Sequence, residues 1–175
     1  MIKKLLLIVG VLVVVAAGAA ALAHSQGVAL PVIGAKPLEQ VIAKPLATGD
    51  SLALARFAHE RCRLLSGSQR RECYEAILLE TVERNEVRLA MDALSVLGRL
   101  DPTTVRRGHD FAHVVGINAW TPGEDVATVY ESCTGLYQSG CYHGVVQAYL
   151  DANGTDSVTV SSLCGKIQAA TNSMW

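Results

Sequence analysis

Between Asp50 and Thr171 apolar residues recur every three or four positions, the spacing that gives a helix one buried face. Leu52, Leu54, Ala55, Ala58, Cys62 and Leu65 fall mostly on one side, with Arg56, Glu60, Arg61 and Arg63 covering the other. Asp50 or Ser51 can cap this helix, and Ser66-Gly67-Ser68 stops it and caps the next. The second helix is predicted from about Gln69 to Asn85, burying Cys73, Ala76, Ile77 and Val82. A third, Glu86 to Leu97, carries Val87, Leu89, Ala90, Ala93 and Leu94 and stops at Gly98. Asp101-Pro102 is a strong start signal, a capping carboxylate followed by proline at the first helical position. The helix it opens holds Val105, His109, Ala112, His113, Gly116, Ile117 and Trp120, and Thr121-Pro122-Gly123 ends it. Shorter helices are predicted at about Asp125 to Tyr137, Cys141 to Ala152 and Asp156 to Thr171. Val158-Thr159-Val160 in the last of these also suits a short strand. The expected fold class is all-α, a disulfide-stapled helical bundle or array of helical hairpins.

The N-terminus reads differently. Met1-Ile2-Lys3-Lys4 is followed by an uncharged run, Leu5 to Ala23, long enough to span a bilayer as a helix. Ala21-Leu22-Ala23 also fits the small-x-small pattern of signal cleavage. Residues 1–23 are therefore a signal peptide or a membrane anchor, with the membrane as partner through residues 5–23 if uncleaved. Either reading places the rest of the chain outside the cytoplasm, because the positive residues stay inside. From His24 to Gly49 the chain turns rich in Pro, Ala, Gly and Val, which predicts an extended spacer over residues 24–49. Residues 50–175 form the helical domain. The chain has 175 residues, 50% of them hydrophobic, which suits one sizeable core. A net charge of −1 with interspersed signs, and only 5% aromatics, gives neither a basic stripe nor a stacking platform, so nucleic acid is excluded as partner.

Outside the cytoplasm the five cysteines are read as disulfide partners before thiolate ligands. None is spaced as CxxC, which removes a thioredoxin-like motif, a cysteine-based zinc knuckle and CxxCH haem attachment. Two segments echo one another: Cys62, ten residues, Cys73-Tyr74, and Cys133, seven residues, Cys141-Tyr142. Each places a cysteine near a helix end, then a short Gly-Ser turn, then Cys-Tyr opening an apolar helix. That arrangement predicts the pairs Cys62–Cys73 and Cys133–Cys141; duplication and coincidence both account for the echo. Cys164 is left over, and the chain stops at Trp175 directly after a helix. The expectation is that the natural protein continues and supplies the missing cysteine.

His109 and His113 stand at i and i+4, so on a helix both imidazoles leave one face, which can close two nitrogens onto one metal ion. His143, at the start of another helix behind a predicted staple, is the third candidate ligand, and His59 a fourth. Asp110 and Glu131 are carboxylates placed to orient an imidazole. Gly116 and Gly144 leave room for close helix approach or a bound group. Imidazole suits zinc, copper, iron and haem alike. Paired histidines at this spacing also occur as solvated groups or hydrogen-bonded to backbone carbonyls. Arg106-Arg107 and the charged stretch Glu83 to Arg88 read as solvated surface.

His109-Asp110-Phe111-Ala112-His113 is similar to the HExxH motif of zinc peptidases, with Asp110, one methylene shorter, where glutamate is the general base. The adjacent His109-Asp110 is similar to the ligand pair of HD phosphohydrolases. Over a longer range, Cys-x10-Cys-Tyr-Glu-Ala, His-Asp-Phe-Ala-His-x2-Gly and Gly-Cys-Tyr-His-Gly-Val, in that order, resemble an uncharacterised group of secreted or membrane-anchored microbial proteins. The resemblance implies no reaction. Members often carry a cysteine before the first histidine, where this chain has Gly108, and continue into a further Cys-x-His-Gly element that is absent here. The leading expectation is an extracytoplasmic domain binding a transition metal or haem through His109, His113 and His143. The alternatives are a non-catalytic structural or interaction module, and a metal-dependent hydrolase using Asp110 or a metal-bound water.

Overall fold

The computed structural model describes residues 38–171. The signal or anchor segment, most of the spacer and Trp175 lie outside the described residues. Within them the chain is all-helical: α1 (Leu38–Thr48), α2 (Ser51–Cys62), α3 (Gly67–Val82), α4 (Val87–Leu100), a 3-10 turn (Pro102–Arg107), α5 (Gly108–Ala119), α6 (Val126–Ser132), α7 (Leu136–Asn153) and α8 (Ser157–Thr171). Among the described residues no helix is long and apolar enough to cross a membrane.

Helix starts follow the short polar side chains. Asp50 caps α2 by accepting from the Ala53 amide at 2.9 Å, and Asp125 caps α6 from the Ala127 amide at 3.3 Å. Asp156 accepts from the Val158 and Thr159 amides at 2.9 and 3.1 Å. That cap makes Val158-Thr159-Val160 the first turn of α8, and the strand alternative does not form.

Four elements differ from expectation, the first being the helix expected from about Asp125 to Tyr137, which ends at Ser132 where Cys133 turns extended. The stretch 38–48, expected to be extended, is α1, with Pro45 inside it. Proline removes one backbone hydrogen bond and costs about 3 kcal/mol in a helix interior. Complete burial of Ile42 and packing of Leu46 on the core offset that cost. The third helix runs past Gly98 to Leu100. The long helix expected from Pro102 to Trp120 is divided, a 3-10 turn giving way to α5 at Gly108.

Helix α4 is the centre of the core. Val87, Leu89, Ala90, Met91, Ala93, Leu94, Val96 and Leu97 are all buried, against α2, α3, α5 and α6. Tyr74 on α3 and Phe111 on α5 meet edge-to-face in the same interior, ring centroids 6.4 Å apart. Some positions expected on buried faces are exposed, among them Leu52 and Ala76. Both predicted disulfides are formed: Cys62–Cys73 joins the end of α2 to α3, and Cys133–Cys141 joins the end of α6 to α7.

Candidate functional site

The site is built on α5 and α7, which approach more closely than any other pair. Glycines permit it. A Cβ on Gly116 would overlap the Cys141 carbonyl, and one on Gly144 would overlap the His113 carbonyl and stand 2.6 Å from the Ile117 amide nitrogen. A Cβ on Gly140 would stand 2.7 Å from the His109 carbonyl oxygen. Gly140 thus faces the first turn of α5 and Gly144 the next, so the two helices run in parallel with their backbones in contact. This closeness sets His143 on α7 beside the histidines of α5.

The three imidazoles come together. The His109 and His113 ring centroids are 6.0 Å apart and nearly parallel, and the His109 and His143 centroids are 5.6 Å apart. His109 and His113 are half-buried and His143 is exposed. The His109 Nδ1 lies 3.0 Å from the carbonyl oxygen of Tyr137. A carbonyl can only accept, so Nδ1 carries the proton, and in the neutral ring Nε2 is the nitrogen with the lone pair. Burial first, and then the neighbouring His109 and His143, hold His113 below the usual imidazole range, opposed in part by Asp110. The neutral ring, the form that binds metals, is thereby favoured.

The carbonyl that fixes His109 belongs to an unusual piece of backbone. Tyr137, Gln138 and Ser139 have φ of 52°, 56° and 61°, a left-handed turn made of three residues that are not glycine. Each such residue costs roughly 1–2 kcal/mol. Right-handed α7 starts only after it. The turn sends the Tyr137 ring over Gly108, where a Cβ would overlap it, and the Tyr137 hydroxyl donates to the Leu94 carbonyl at 3.3 Å. A Cβ on Gly98 would stand 2.6 Å from that hydroxyl oxygen. Burial raises the Tyr137 pKa, offset in part by Arg99. Gly98 and Gly108 are therefore seats for one aromatic ring. Any side chain at position 108 would meet the Tyr137 ring.

The remaining candidates stand elsewhere. His59 lies on α2, which packs chiefly on α1, α3 and α4, and its Nδ1 is buried without a hydrogen-bond partner among the described residues. Asp110 has a side chain 60% exposed and a loose 3.9 Å ion pair with Arg107, a weak start for a general base. Glu131 is exposed on α6, where its backbone carbonyl accepts from Arg88 at 2.9 Å. Cys164 is free and exposed on α8. As the side chains stand, no three His, Cys, Asp or Glu among the described residues are arranged to hold a metal ion. Sequence reasoning missed Tyr137, whose part is visible only in the backbone; the glycines at 98 and 108 were its one trace.

No family profile, curated protein or solved structure matches this chain.

Proposed function

We propose that this is an extracytoplasmic helical domain that binds a transition-metal ion through His109, His113 and His143. The observation that carries the reading is the His109 ring, held at Nδ1 by the Tyr137 carbonyl, which leaves Nε2 as the donor nitrogen, with two further imidazoles 5.6 and 6.0 Å away. A second-sphere carbonyl holding one ring nitrogen is the usual support of a metal-ligating histidine. Zinc, copper and iron(II) all accept such a donor set. Binding would need rotation of His113 and of the exposed His143 towards His109. The spacing favours a small shared ion over haem, since His109 and His113 leave one helix face and cannot flank a porphyrin. The two disulfides support placement in an oxidising compartment.

A second reading has its own observation. The described groups are not arranged as ligands before such rotation, which favours a structural or interaction module whose histidines are only hydrogen-bonded. Metal analysis of the purified protein, with thermal melts in added Zn2+ and Cu2+, separates the two. The metal reading expects about one equivalent bound and a rise in Tm that His109→Ala abolishes. A metal-free protein whose Tm ignores both ions supports the module.

A further inference from the structure

On α3, away from the imidazoles, a cavity of about 590 Å³ opens among α3, the 3-10 turn and the start of α5. That is the size of a pocket for a small organic molecule. Three guanidinium groups line it, Arg70 and Arg71 from α3 and Arg107 from the end of the 3-10 turn. Tyr74 and Phe111, already in edge-to-face contact, close its floor, but at 1% and 2% exposed they shape the cavity without presenting an open ring face.

The local carboxylates engage these arginines loosely. Arg70 lies 3.6 Å from Asp101, Arg71 lies 3.8 Å from Glu75 and Arg107 lies 3.9 Å from Asp110. Arg70 gives its Nε–H to the Leu65 carbonyl at 2.8 Å, so its position is fixed. Arg71 and Arg107 donate no hydrogen bond to these carboxylates, and their side chains are 42% and 58% exposed. Asp101, the one buried acid here, already accepts from Tyr74 at 2.9 Å and from the Thr103 hydroxyl at 2.6 Å. Its charge is satisfied from behind, while the fork-shaped donors of Arg71 and Arg107 remain unspent. Guanidinium forks match the paired oxygens of phosphate and carboxylate. Ser66, Gly67 and Ser68, at the start of α3, line the cavity as well.

We propose that this cavity binds a small organic oxyanion, its phosphate or carboxylate head held by Arg70, Arg71 and Arg107. The site is distinct from the imidazole cluster, and its occupancy does not depend on a metal. Calorimetric titration of the purified protein with phenyl phosphate, benzoate and inorganic phosphate tests it. Binding by phenyl phosphate or benzoate is the expected result, and which of the two wins identifies the head group. Arg71→Gln with Arg107→Gln should weaken that binding roughly tenfold or more, and added salt should weaken it further. Both side chains are well exposed, so the double variant should keep the parent Tm; Arg71→Lys with Arg107→Lys, which keeps the charge but not the fork, should fall between. No binding by any probe at millimolar concentration overturns the proposal. So does equal binding by parent and double variant.

Discussion

Cys62 and Cys73 close the α2–α3 hairpin with their Cα atoms 5.8 Å apart, and Cys133 and Cys141 close α6–α7 at 5.6 Å. A tyrosine follows the second cysteine in each. The turns between them differ. In the first hairpin the left-handed residue is Gly67, φ 52°, with open space where a Cβ would sit. In the second, Tyr137, Gln138 and Ser139 take that conformation without being glycine. The first hairpin uses its tyrosine as structure: Tyr74 donates to buried Asp101. Burial raises the Asp101 pKa, but the Thr103 and Tyr74 hydrogen bonds and the Arg70 charge outweigh it and leave the carboxyl below its ordinary value. The second holds a strained backbone whose Tyr137 carbonyl orients His109. Strain of this kind persists only where surrounding contacts impose it, and it points to function at the second hairpin.

The largest contrast is expected from glycine replacement. Gly144→Ala drives a methyl into the α5 backbone and should cost about 3 kcal/mol or more. Gly67→Ala meets only its positive φ, at roughly 1–2 kcal/mol. Denaturant unfolding of the two variants measures the gap, and equal losses would end the claim that α5 and α7 are packed backbone to backbone.

Removing either disulfide should cost roughly 2–3 kcal/mol, since the closed loops are of similar length. The consequences should then part. Cys133→Ser with Cys141→Ser releases the left-handed turn and should abolish metal binding in protein that remains folded. Cys62→Ser with Cys73→Ser should leave it intact. Circular dichroism and zinc titration of both pairs decide this.

Two groups packed beside the hairpins, Asp101 against Tyr74 of the first and His113 beside His143 of the second, should also respond to acid in different ranges. His113 has a lowered pKa in the folded protein, so the unfolded chain takes up the proton first. Stability linked to it is full above about pH 6.5 and falls as the pH drops from there towards the folded value. Asp101 is also lowered, so its contribution is present above about pH 4 and is lost as the pH falls through its folded pKa. His113→Gln should flatten only the upper range of a Tm-against-pH curve, and Asp101→Asn only the lower.

The smallest effect is the most specific. Gln138→Gly should leave stability unchanged or raise it by up to about 1 kcal/mol, because relief of a left-handed residue outweighs glycine's entropy. A glycine in the regular part of α7, such as Gln147→Gly, should lower stability by about 1 kcal/mol.

Much of this was legible from residue chemistry. Asp50 and Asp101 cap because a short carboxylate reaches the first amides, and the two Cys-Tyr echoes paired as their spacing implied. The histidines converge because i, i+4 spacing and the glycines of α5 and α7 leave little alternative. What could not be read depends on contacts distant in sequence. Gly98 looked like a helix stop because its partner, the Tyr137 hydroxyl, comes from α7. Residues 38–48 looked extended because burial of Ile42 is not local information. Arg107 is solvated, as its sequence suggested, but the cavity it lines was not legible because α3 contributes to it as well as its own turn. The left-handed run had no signal at all, since Tyr, Gln and Ser do not announce positive φ.

The central claim is that the strained turn presents His109 as the fixed ligand of a metal site. Titration of the purified protein with Co2+, followed by its visible ligand-field absorption, tests it most directly. A band saturating near one equivalent, lost in His109→Ala and sharply weakened in His143→Ala, is the expected result. Absence of any band, or one of equal strength in both variants, would contradict it.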